Sequence, residues 1–215
     1  MAIVKPFKAV RPSRDKVALV SSKSFDAYTD KELDAKLEFN PFTFLHIINP
    51  GYKYHQEFTG EQRFQMIHNR YEEFKENKIF IKDTTDSFYI YESSDAHNSF
   101  CGIIAATAVD DYINGCIKKH EGTIKKREEL FESYLKTTGF NAEPVLLTYE
   151  DDENFNKLLI TIQEKRPEYE FSTTDKKLHR LWLVNDEIHI EKITSFFEKK
   201  EALYIADGHH RSASS

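Results

Sequence analysis

The sequence predicts a mixed α/β fold, a sheet with flanking helices, and three observations carry that expectation. Apolar runs of strand length recur between segments whose apolar residues follow a helical period. Capping residues followed by acids stand in front of several of those helical segments. Finally, a buried-strand run at 202–206 (ALYIA) meets Asp207-Gly208 and then what reads as the opening of a helix at 211–215. With 215 residues, 40% hydrophobic and 31% charged, the chain can bury a substantial core and is too apolar for global disorder. We expect a single α/β domain over residues 1–215. We also expect it to be the N-terminal part of a longer protein, because the last helix has barely begun at Ser215.

Residues 3–12, with prolines at 6 and 12, suit an edge strand leading into a loop. Residues 17–20 (VALV) read as a strand, and 21–26 (SSKSFD) as a hydroxyl-rich loop closed by Asp26. Thr29-Asp30-Lys31-Glu32 is a capping box for a helix to about Phe39, ended by Asn40-Pro41. Residues 43–48 (TFLHII) read as a strand in which His46 is packed rather than a ligand, with a turn at 49–51. A long helix follows Thr59, with Phe64, Ile67, Tyr71 and Phe74 as its core stripe.

Residues 79–82 and 87–92 read as two strands joined in a hairpin by Asp83-Thr84-Thr85-Asp86. The uniformly apolar run 100–109 (FCGIIAATAV) predicts a strand buried on both faces. Asn114-Gly115 marks a turn, and Gly122-Thr123 can cap a helix through Leu130 and Leu135. Residues 144–149 (PVLLTY) form a strand, and the acids at 151–153 start a helix to about Glu164. A strand at 178–184 and a helix carrying Ile193, Phe196 and Phe197 lead to the terminal strand. That succession is the βαβ arrangement, so the two strands are expected to be parallel neighbours.

The chemistry concentrates at 205–215 (IADGHHRSASS). A strand ending in a glycine turn and a helix start aims backbone N–H groups outward, and two histidines and an arginine add donors and positive charge. A second concentration lies at 118–127. Lys118, Lys119 and His120 precede the helix cap, and Lys125, Lys126 and Arg127 occupy the first turn, where bases oppose the helix dipole. They either face an anion or form a solvated face paired with Glu128, Glu129 and Glu132. The spacing leaves both open.

The formal charge of −6 argues against a general nucleic-acid-binding surface while leaving room for a local basic pocket. Cys101 and Cys116 have no metal-ligand spacing, which points to reduced thiols in a cytoplasmic protein. No run is long enough to span a bilayer, and the N-terminus lacks an apolar core of signal-peptide length. No Gly-x-x-x-x-Gly-Lys-Ser/Thr loop is present.

Five segments occur in a telling order: KPFKAVRP near the start, NPFTFLHI at 40–47, VDDYINGCIKKHEGT at 109–123, EPVLLTY at 143–149 and IADGHHRSAS at the end. Together they resemble the bacterial family known as domain of unknown function 1015, whose members continue well beyond Asp-Gly-His-His-Arg. That terminal motif also resembles the strand, Gly-x-x-Arg, helix motif of the ParB and sulfiredoxin superfamily, and in its closest form that of the free-serine kinases there. The resemblance implies a nucleotide- and phosphate-binding site and a phosphotransferase acting on a small hydroxyl substrate such as serine. It would use ATP, ADP or pyrophosphate with Mg²⁺. It matches Asp207, His209, His210 and Arg211 residue by residue. Gly208, His210 and Arg211, with Lys118, Lys119, His120 and Lys126 as a positive wall, would hold phosphate. Asp207 would bind Mg²⁺ or substrate, and Asp26 is the candidate base. A non-catalytic nucleotide-binding module like ParB is the alternative. A metal-dependent hydrolase built on Asp207, His209 and His210 ranks last, because adjacent histidines on a turn rarely meet at one metal.

Overall fold

A computed structural model describes residues 2–215 and shows a mixed α/β chain of short sheets and helices. Its first half forms β1 (Val4–Lys5), β2 (Val10–Pro12), α1 (Val17–Val20), α2 (Asp30–Phe39), α3 (Leu45–Ile48), α4 (Gly60–Glu76) and β3 (Phe80–Lys82). Then come β4 (Phe88–Ser94), β5 (Ser99–Ile104), β6 (Ala106–Thr107), α5 (Val109–Ile113), β7 (Ile117–Lys118) and α6 (Lys125–Thr138). The last third holds β8 (Leu146–Thr148), α7 (Glu153–Gln163), β9 (Tyr169–Ser172), β10 (Leu178–Val184), α8 (Glu187–Glu198), β11 (Leu203–Asp207) and α9 (His209–Ser214). Residue contacts gather the chain into two compact units. The first holds the N-terminal residues through Ala9, Lys82–Lys125 and Pro144–Ser215; the second holds Val10–Ile81 and Lys126–Glu143.

The first unit contains an antiparallel sheet in the order β5-β4-β10-β9, a three-stranded sheet β7-β11-β8 and a β1-β6 ribbon. Phe88 and Ile90 of β4 and Trp182 and Val184 of β10 alternate onto one face, as a half-buried strand requires. They share a core with Ile117, Leu203 and Ile205 of the smaller sheet and with α7 and α8. Helix α7 starts where Asp152 accepts from the backbone N–H groups of Asn154 and Phe155, and it buries Phe155, Leu159 and Ile162 at helical spacing. Helix α8 is capped by Asp186 and buries Ile193 and Phe197. The Trp182 indole N–H donates to the Lys165 carbonyl at 2.8 Å, so the tryptophan is buried without stranding its polar atom.

The second unit is mainly helical. Its core joins Val20, Ile47, Phe64, Ile67, Phe74, Ile79 and Phe80, with Tyr71, Tyr134 and Phe140 packed against them. The capping box of Thr29 and Glu32 is present, with both reciprocal bonds made. The α4 stripe is core, as its periodicity predicts. His46 is buried at 8% exposure, and burial together with the Arg70 charge holds its pKa below the usual 6.5.

Several element readings are corrected. Residues 17–20 and 45–48 are single helical turns rather than strands, since an apolar run of four to six residues fits either state. β3 and β4 make no hairpin: β3 pairs with β2, and β4 pairs with β5 and β10. β5 is an edge strand and stops at Ile104; Phe100 is 71% exposed, so uniform apolarity did not mean burial on two faces. β10 and β11 lie in different sheets, and the parallel neighbour of β11 is β7. A crossover helix can return the chain to a second sheet, which the local pattern does not distinguish from the same sheet. No helix among the described residues is long and apolar enough to cross a membrane.

Candidate functional site

The terminal strand is central in its sheet, paired with β7 in parallel and with β8 antiparallel. Leu203 and Ile205 point into the core at 2% and 1% exposure. Simple alternation would send Asp207 inward after them. The pairing register instead shifts between Ile205 and Asp207, and the Asp207 side chain is 73% exposed. A bulge that re-aims one side chain at a strand end therefore delivers the carboxylate outward.

Gly208 follows with φ at +94°, a conformation that favours glycine. Space for a side chain is tight there as well. A Cβ would stand 3.1 Å from Arg211 Nε, 3.2 Å from its Nη2 and 3.3 Å from the Val145 Cα. The guanidinium thus folds back over the glycine, and Arg211 Nη2 donates to Asp207 Oδ2 at 2.8 Å. The arginine is oriented by its own motif rather than extended into solvent; its side chain is only 15% exposed.

His209 is 7% exposed. Its Nδ1 lies 3.8 Å from Glu121 Oε2, and its ring meets the His120 ring edge-to-face with centroids 4.5 Å apart. His209 Nε2 and His210 Nδ1 are both buried with no hydrogen-bond partner among the described residues. Leaving such an atom unsatisfied costs about 1–3 kcal/mol, so two in adjacent residues form a marked local deficit.

The parallel pairing of β7 with β11 brings the basic segment alongside. Ile117 and Lys118 pair with Leu203 and Tyr204, which carries His120 and Glu121 on to the His209 ring. Lys118 shares this strand, and Lys119 rests its ammonium 5.0 Å from the centre of the Tyr112 ring. Lys126 lies on α6 and Asp26 in a 3-10 turn at Phe25–Ala27, and both belong to the second unit. The structure thus gathers Asp207, Gly208, His209, His210, Arg211 and His120 in the first unit. Glu121 has no role in the sequence reading. Its adjacency to His120 was visible, but its reach to His209 depends on the β7–β11 pairing.

Asp207 already accepts from Arg211, and no group of three or more His, Cys, Asp or Glu among the described residues is arranged to hold an ion.

The strand, glycine and short helix thus gather two imidazoles and a guanidinium at one turn. The sequence profile of the family described as protein of unknown function (DUF1015) matches residues 4–215, and the chain belongs to that family. No curated protein and no solved structure matches it.

Proposed function

We propose that this chain is a phosphotransferase that moves a phosphoryl group from ATP, ADP or pyrophosphate to the hydroxyl of a small substrate, free serine foremost. The reading rests on one observation above others: in the two residues before Arg211, two buried imidazole nitrogens, His209 Nε2 and His210 Nδ1, have no partner among the described residues. An imidazole nitrogen can donate to a phosphate oxygen or accept a hydroxyl proton, and phosphoryl transfer uses both. Arg211, held over Gly208 by Asp207, is a donor oriented in advance of its ligand, which is the arrangement that makes electrostatic stabilisation effective. Asp207 is exposed, and an exposed pair of this kind is worth only about 0–1 kcal/mol. The carboxylate can therefore give way when a phosphate takes the guanidinium.

The donor and acceptor classes come from the resemblance of the terminal motif to the ParB and sulfiredoxin superfamily and its free-serine kinases. Lys118 and Lys119 supply further positive charge on the neighbouring segment, and His120 a further imidazole. Lys126 and Asp26, which the resemblance would make a phosphate ligand and the base, belong to the other compact unit. Mg²⁺ would travel on the phosphates of the donor, which suits an ion that keeps most of its waters and needs few protein ligands. The net charge of −6 speaks against a nucleic-acid partner.

The test incubates the protein with ATP, ADP or pyrophosphate, Mg²⁺ and a panel of free amino acids and sugars, and reads phosphorylated product. Product with serine or another hydroxyl compound supports the proposal. Tight donor binding without product with any acceptor would make the chain a nucleotide-binding module instead.

A further inference from the structure

The two ring nitrogens of His209 stand in different surroundings. Nδ1 faces the Glu121 carboxylate at 3.8 Å, whereas Nε2 is buried and has no partner among the described residues. The other oxygen of Glu121 lies 3.8 Å from His120 Nε2, so one carboxylate stands between two imidazoles. A carboxylate beside one ring nitrogen keeps the proton on that nitrogen and leaves the lone pair on the other. The distance is longer than a hydrogen bond, and small motion of Glu121, whose side chain is 66% exposed, closes it.

From this geometry, and resting on the phosphotransfer reading above, we infer that Glu121 is a positioning residue that holds His209 in its Nδ1–H form, making Nε2 the acceptor for the substrate hydroxyl proton. The step balances. The hydroxyl oxygen bonds to the terminal phosphorus of the phosphoanhydride donor and its proton passes to His209 Nε2. The bridging P–O bond breaks with its electron pair on the departing phosphate. Arg211 and His210 then remain for the phosphate oxygens. The base lies two residues from that guanidinium in the sequence and belongs to the same compact unit. The His120 ring, packed edge-to-face on His209 and 63% exposed as a side chain, has room to move aside when substrate enters.

Multiple-bond ¹⁵N spectra of the imidazoles, recorded on the full chain well above the imidazole titration range, test the inference directly. His209→Gln assigns the resonance. Wild type is expected to show a bare Nε2 and a protonated Nδ1 at His209, and Glu121→Ala to shift the ring towards the opposite form. A wild-type His209 protonated on Nε2, or a tautomer unchanged in Glu121→Ala, overturns the inference. With an active donor and acceptor, Glu121→Ala should lower kcat by about tenfold or more while leaving the KM for the donor unchanged, short of the roughly 10²–10⁴-fold effect of losing a base. An unchanged kcat overturns the inference as well. If no phosphoryl transfer is seen with any donor, the proposed function fails, and the tautomer of His209 still decides the role of Glu121.

Discussion

Arg211 offers a perturbation whose consequences for binding and for folding separate cleanly. Its guanidinium is mostly buried, lies over Gly208 and donates to an exposed Asp207 at 2.8 Å. The pair itself contributes about 0–1 kcal/mol, because one partner is in water. A lysine at 211 keeps the charge and can still reach a carboxylate, so the melting temperature should change little. A planar fork gripping two phosphate oxygens is different, since an ammonium cannot reproduce it. Losing one charge-assisted bond of that kind costs about 1.5–3 kcal/mol, or roughly ten- to hundredfold in affinity. Calorimetric titration of Arg211→Lys, Arg211→Ala and wild type with ATP and pyrophosphate, with a thermal melt alongside, measures both quantities. We expect Arg211→Lys to bind ten- to hundredfold more weakly at nearly unchanged stability. Unchanged donor binding in both variants would remove the arginine from the site. A large fall in melting temperature for Arg211→Lys without ligand would make it a structural residue clamped by Asp207.

Three further outcomes follow from particular contacts. Gly208→Ala forces a side chain into a positive-φ position against the Val145 backbone, and we expect about 1–3 kcal/mol of destabilisation in a denaturant titration. Ile193→Ala opens a fully buried site in the core of the first unit and should cost about 2–5 kcal/mol. His46 has a folded pKa below 6.5, so the unfolded chain takes up its proton first as pH falls. Its contribution is present above about 6.5 and declines as pH drops towards the folded value, and stability profiles of wild type and His46→Gln should diverge in slope over that window.

Long, periodic and capped segments were legible in the sequence because each carries its own signal. The Phe64, Ile67 and Phe74 stripe, the Thr29–Glu32 box and the acidic start of α7 are local events, and the structure shows all of them. Short apolar runs were not, since 17–20 and 43–48 satisfy the helical and extended patterns equally. Strand partners were also hidden. Nothing local says that β3 pairs with β2, or that β11 sits between β7 and β8. The same limit governs the site. Asp207, Gly208, His209, His210 and Arg211 are contiguous and could be read together. Glu121 joins them only through the β7–β11 pairing, and the outward turn of the Asp207 carboxylate goes with a register shift that no spacing rule announces.

In the proposed mechanism a phosphate sits beside two imidazole nitrogens that have no partner among the described residues, His210 Nδ1 donating to it and His209 Nε2 taking the hydroxyl proton. The most direct measurement follows the ring ¹⁵N resonances of His209 and His210 while pyrophosphate, and separately ATP, is titrated into the full chain. Saturable shifts at both rings, weakened in Arg211→Lys, are the expected result. Shifts confined to other histidines, or none at all while the protein remains folded, would contradict it.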